Sequence, residues 1–124
     1  MVQAVVLQPN GKLAVWSSVV DRFIYTNQTE DQVVSFFRTD MSVDKARDKV
    51  KRGVDDETIW PGEKREGPFH RWKECLKSIV LRHELPALQH FLADCGNSGI
   101  ITPEQVDEYT TIGREWAAII ESER

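Results

Sequence analysis

Between Val2 and Ser18 two apolar runs flank Gln8-Pro9-Asn10-Gly11, and no other stretch of the sequence limits the possible folds as much. Pro9 presets the φ of a turn's first central position, Asn10 can follow it, and Gly11 supplies a left-handed residue, as in a type I turn leading into a bulge. The segment predicts a β-hairpin. In its second arm Leu13, Val15 and Ser17 share one face, and Ala14, Trp16 and Ser18 the other. The first arm, Ala4-Val5-Val6-Leu7, is apolar on both faces and reads as a central strand. Arg22 to Thr26, aromatic and branched, predicts a third strand.

Helical signals follow and no further strand signal does. Thr29-Glu30-Asp31-Gln32 has the form of a capping box, with Val33, Phe36 and Phe37 on one stripe behind it. After Asp40-Met41-Ser42, the residues Val43, Ala46 and Val50 recur at helical spacing, and Gly53 is placed to end that helix. One bent helix and two separate helices both satisfy this pattern. Gly53 to Gly67 is rich in glycine and charge and predicts a long loop, a length that tends to be functional or mobile. Gly67-Pro68 then opens a helix with Phe69, Trp72, Leu76, Ile79 and Val80 on its apolar side, bent or restarted at Pro86. Asp94 to Gly99 turns the chain. A second capping box, Thr102-Pro103-Glu104-Gln105, starts a last helix burying Val106, Tyr109, Ile112, Gly113, Trp116 and Ile120.

Strands first and helices afterwards predict an α+β fold: a small antiparallel three-stranded sheet packed by helices, with a mostly helical C-terminal half. With 124 residues, 40% of them apolar and 29% charged, one domain can bury a core without metal or disulfide staples. The expected organisation is a single domain over 1–124, with 1–26 as hairpin plus third strand, 29–53 helical, 54–67 a loop and 68–122 helical. Disordered and collagen-like classes do not fit this composition. Apolar runs stop at four or five residues, short of the roughly 20 that span a bilayer, and no basic-then-apolar leader opens the sequence. The expected location is the cytoplasm, with no membrane partner. Cys75 and Cys95 then read as buried thiols rather than a disulfide.

Sites of chemistry are sparse. His70, His83 and His90 with Cys75 and Cys95 are of zinc-binding type, but their spacings fit no common finger, and a cysteine–histidine catalytic pair has no glycine-rich oxyanion scaffold beside it. From Asp94 to Gln105 the chain superficially follows a calcium loop, yet Gly96 and Gln105 stand where anionic oxygens are needed. Ser17, Ser18 and Asp21 read as turn formers. No catalytic, metal or cofactor site is expected. Charge is more informative. Residues 1–44 carry three basic and five acidic groups, 45–82 eleven and seven, and 83–124 two and eight, giving nets of −2, +4 and −6 within a total of −4.

The basic middle holds Lys45, Arg47, Lys49, Lys51 and Arg52 before the loop, Lys64 and Arg65 at its end, and Arg71, Lys73, Lys77 and Arg82 on the helix after it. Asp44, Asp48 and Asp55 to Glu57 dilute that charge, through helical pairs such as Asp48 with Arg52. Trp60 stands in the loop, either as a packing staple or as an anchor for a partner. The first expectation for function is therefore a non-catalytic interaction or regulatory protein that binds a macromolecular partner, a protein, through Trp60, Lys64, Arg65, Arg71, Lys73, Lys77 and Arg52. A small nucleic-acid-binding regulator using the 45–82 region is the alternative. A small enzyme or ligand binder near Asp21 or the cysteines and histidines is the third.

The layout from Val2 to Phe37 also resembles the amino-terminal part of HicB-type antitoxins. The hairpin around Asn10-Gly11, the strand at Phe23 to Tyr25 and the helix capped by Thr29 and led by Glu30-Asp31 carry that resemblance. It covers under a third of the chain and implies a small sheet with helices on one face. Ser17 to Asp21 replaces the family's proline-rich stretch, no ribbon-helix-helix or helix-turn-helix tail follows, and no functional residue is carried over. In size and irregularity the chain is similar to accessory proteins of phages and other mobile elements.

Overall fold

A computed structural model describes residues 3–58, 62, 64, 65 and 67–123. Three antiparallel strands, β1 (Gln3–Leu7), β2 (Leu13–Ser17) and β3 (Arg22–Gln28), precede four helices, α1 (Glu30–Phe37), α2 (Val43–Val54), α3 (His70–Asn97) and α4 (Pro103–Ser122). This is the α+β arrangement the order of signals predicts. The chain forms two compact units, Met1–Lys73 and Glu74–Arg124, so that α3 begins in the first and continues in the second.

In the first unit the strand order is β1-β2-β3, which places the hairpin's second arm, not its first, at the centre. The first arm is nevertheless apolar on both faces because both faces of the sheet are covered. On one, Val5, Leu13 and Val15 pack with Val33 and Phe37 of α1 and Ala46 and Val50 of α2. On the other, Ala4, Val6, Ala14 and Trp16 are buried. There the Trp16 ring stands edge-on to Phe23 at 4.9 Å, and Phe23 lies 5.3 Å from Trp72 in the first turn of α3.

A polar knot fixes the hairpin tip. Gln8 N–H donates to the Lys12 carbonyl and Gly11 N–H to the Gln8 carbonyl, with Gly11 at φ +86° as the turn requires. The fully buried Gln8 side chain accepts from Asn27 N–H at 2.8 Å and donates to Asn10 and Asn27 side-chain oxygens at 3.0 and 3.2 Å. The end of β3 is thereby tied to the β1–β2 turn.

Two helices, not one bent helix, follow the sheet. Thr29 caps α1 in a full capping box with Gln32, and Ser42 caps α2 by accepting from Lys45 N–H. Gly53 does not end α2 in a left-handed conformation; it lies inside the helix. Its role is close approach: a Cβ built there would stand 2.5 Å from Val5 Cγ1 and 2.8 Å from the Val5 carbonyl oxygen.

In the second unit α3 is interrupted at Glu84, whose φ of 71° and ψ of 168° leave the helical region, and Pro86 lies in the first turn of the restarted segment. The helix then runs through Asn97, beyond the turn expected from Asp94. Its end is a Schellman motif: Ile100 N–H donates to the Cys95 carbonyl, Gly99 N–H to the Gly96 carbonyl, and Gly99 has φ +74°. Thr102 and Gln105 cap α4 reciprocally, and a Cβ at Gly113 would fall 2.5 Å from Leu88 Cδ2. No helix among the described residues is long and apolar enough to cross a membrane.

Substitutions at three of these backbone positions test the account. Gly53→Ala meets β1 backbone and a branched side chain that cannot turn away, so urea titration should show a loss of about 2 kcal/mol, within the range for overpacking. Gly113→Ala meets only the end of a flexible leucine and gains helix propensity, so its change should stay within about 1 kcal/mol. Glu84→Gly should raise stability by about 1 kcal/mol by relieving a conformation only glycine adopts easily, whereas Glu84→Ala should shift it by less than about 0.5 kcal/mol.

Candidate functional site

The cationic residues singled out by sequence separate into two groups once placed. The helix α2 is amphipathic: Ala46, Val50 and Gly53 are buried against the sheet, which leaves Lys45, Arg47, Lys51 and Arg52 exposed along its outer side. Ser42 and the first-turn Asp44 favour its N-terminus, while Lys51 and Arg52 in its last turn suit the negative end of the helix dipole. Arg52 Nε pairs with Asp48 at 3.2 Å one turn away, both side chains being more than half exposed, a contact worth little in water.

Lys49 is half-buried, with its ammonium 4.4 Å from the centroid of the Phe37 ring. Burial first and the nearby Arg71 guanidinium second lower its pKa from the usual lysine value of 10.5.

Arg71 itself points inward. It is 7% exposed; its Nη1 donates to the Val5 carbonyl at 2.9 Å and its Nε to the Glu57 carbonyl. Because Gln8 is hydrogen-bonded to Lys12, alternation along β1 turns the Val5 carbonyl away from β2, so Arg71 closes an otherwise open sheet edge. Arg65 also serves the interior, pairing through Nη2 with Asp56 at 3.1 Å and donating from Nε to the Gly67 carbonyl.

Asp56 is the residue that sequence reasoning undervalued. It sits in a left-handed conformation at φ 53°, one that aspartate tolerates better than most residues, and is 2% exposed. Its carboxylate accepts from the backbone N–H of His70 at 2.7 Å and of Arg71 at 3.1 Å. Phe69, whose carbonyl accepts the first helical bond from Lys73 N–H, occupies the N-cap position of α3 with no side-chain oxygen to offer. Asp56 supplies that oxygen from earlier in the chain. The carboxylate, Arg65 and Arg71 together fasten the two ends of the 57–69 segment to each other and to β1.

Of the seven residues expected to meet a partner, Arg52 and Lys64 are exposed, Lys73 is half-buried, and Lys77 is exposed in the second unit. Arg65 is half-exposed and Arg71 is buried, both committed to the segment's anchorage. Trp60 lies outside the described residues. The other polar candidates stay apart: His70 is buried at the start of α3, His90 is exposed and lies 3.7 Å from Asp94, and no group of three metal-ligating side chains occurs among the described residues. Both cysteines are buried, and burial followed by Asp94 pushes the Cys95 thiol up to about 12, leaving it protonated and unreactive at neutral pH. Comparison with protein families, with curated proteins and with solved structures finds no match to the chain.

Asp56→Ala should cost about 3–5 kcal/mol, since it strips a buried cap from two amides and an arginine at once. Asp56→Asn keeps one accepting oxygen and the tolerated backbone, so it should lose less than half as much. Arg65→Ala, removing a half-exposed partner, should cost no more than about 1.5 kcal/mol. Guanidinium titration of the three variants checks the order.

Proposed function

We propose that this chain is a non-catalytic interaction module that binds an acidic surface of a macromolecular partner, a protein, through the outer side of α2 and the adjacent segment carrying Lys64. The observation that carries this reading is the exposure of Lys45, Arg47, Lys51 and Arg52 on a helix whose opposite side is fixed to the sheet. The cations therefore stand on a rigid support rather than on a loose tail, which lowers the ordering cost of binding. The net charge of −4 favours a protein surface over nucleic acid, where phosphate neutralisation dominates affinity.

The test is affinity capture from the organism that carries the sequence, comparing the wild type with a Lys45→Glu/Arg47→Glu/Lys51→Glu variant and with a Glu104→Lys/Glu108→Lys control on α4. A partner protein should be kept by the wild type and the control and lost by the α2 variant. Trp60→Ala should weaken the same complex by about thirtyfold if the segment supplies an anchor. Retention of the same partner by the α2 variant would sink the reading. Duplex DNA binding that falls by about a thousandfold between about 50 and 200 mM salt would replace the protein partner with nucleic acid.

A further inference from the structure

Asn10-Gly11, at the hairpin tip, is the one place in the sequence where glycine follows asparagine. That pair carries its own chemistry. With no side chain on the second residue, the glycine backbone nitrogen can approach the asparagine carboxamide carbon and attack it. A bond forms between Gly11 N and Asn10 Cγ, the Cγ–Nδ2 bond breaks, and ammonia departs with the amide proton that Gly11 gives up. Solvent water then opens the cyclic imide at either carbonyl and leaves aspartate or isoaspartate at position 10.

The folded hairpin holds both reacting groups off this path. Gly11 N–H donates to the Gln8 carbonyl at 2.9 Å, so the nucleophile is engaged in the turn. The Asn10 carboxamide is held at both ends: Oδ1 accepts from Lys12 N–H at 3.1 Å and from Gln8 Nε2 at 3.0 Å, and Nδ2 donates to Asn27 Oδ1 at 2.9 Å. Asn10 is nevertheless exposed, so solvent reaches it as soon as these bonds open.

Backbone donors fix the direction of this network. Asn27 N–H donates to Gln8 Oε1, which turns Gln8 Nε2 toward the side-chain oxygens of Asn10 and Asn27, and Lys12 N–H holds Asn10 Oδ1 in the same sense. Asn10 must therefore offer Asn27 a donor. A carboxylate has none to offer: after deamidation an oxygen would face Asn27 Oδ1, acceptor against acceptor. The fully buried Gln8 amide cannot turn over in compensation, because its NH2 group would then face Asn27 N–H. We propose that Asn10 is a spontaneous deamidation site, kept closed by the knot at the hairpin tip and released when that tip opens. Its product loosens the tie between the β1–β2 turn and the end of β3.

The experiment follows deamidation at mildly alkaline pH by mass spectrometry of the fragment that holds Asn10, with isoaspartate told from aspartate by chromatographic retention. The full chain in buffer, the full chain in urea and the peptide acetyl-Gln-Pro-Asn-Gly-Lys-amide are compared. The peptide and the urea-unfolded chain should react at similar rates, and the folded chain at least about tenfold more slowly, since several hydrogen bonds must open together. Hydrogen exchange at the Gly11 amide reads the same opening, so its protection factor should match the slowing of deamidation within about threefold. Asn27→Gly tolerates the left-handed backbone and keeps the residue 27 N–H bond to Gln8 while removing the side-chain acceptor, so it should speed reaction of the folded chain by at least about threefold. Asn10→Asp should lower Gly11 protection by about fivefold. A folded chain that reacts as fast as the peptide overturns the proposal, as does a slowing that Asn27→Gly leaves unchanged. So does Gly11 protection that Asn10→Asp leaves intact.

Discussion

A single buried carboxylate organises the first unit. Asp56 accepts from the first two amides of α3 and from Arg65, and so fixes where α3 begins. Once that start is fixed, Arg71 reaches the Val5 carbonyl and Trp72 reaches Phe23, which joins the helix to the edge of the sheet and to one of its faces. The energy of such a carboxylate comes from what it satisfies: a buried amide without an acceptor costs more than a formed hydrogen bond returns. The left-handed backbone at Asp56 and at Phe69 is a local strain that this cluster of bonds offsets.

The same bonds change the meaning of the positive charge. Counted along the sequence, Arg65 and Arg71 belong to the basic middle of the chain; placed in space, Arg65 pairs with Asp56 and Arg71 closes the Glu57 and Val5 carbonyls. What remains directed outward in the first unit is the side of α2 opposite Ala46 and Val50, with Lys64 nearby in sequence. Cations of the same type thus differ in whether they are committed to the interior, according to whether a buried acceptor stands within reach.

The features legible in the sequence were those whose causes are local. The Pro9-Asn10-Gly11 turn and the capping boxes at Thr29 and Thr102 each act over three or four residues, and the structure contains them at those positions. The third strand and the apolar stripe of α1 follow from periodicity, which is likewise local. What pattern could not show depends on partners far apart in the chain. Gly53 reads as a helix terminator until Val5 is found against it, and Asp56 reads as one more acid in a polar loop until His70 and Arg71 turn their amides toward it. The identity of the central strand was hidden for the same reason, because a side covered by helices and one covered by strands look alike as an apolar run. Of the candidate site, the residue types were legible and their directions were not.

Fastening both ends of the 57–69 stretch at one carboxylate also separates its length from the integrity of the sheet. The entropy of closing a loop grows only with the logarithm of its size, so doubling such a stretch adds only about 0.6 kcal/mol. Apart from Arg65, which takes part in the fastening, that stretch can change in length in related chains at little expense to folding while β1 and α3 stay where they are. Sequence divergence should accordingly concentrate between Glu57 and Arg65 and stop abruptly at Asp56, Arg65 and Arg71.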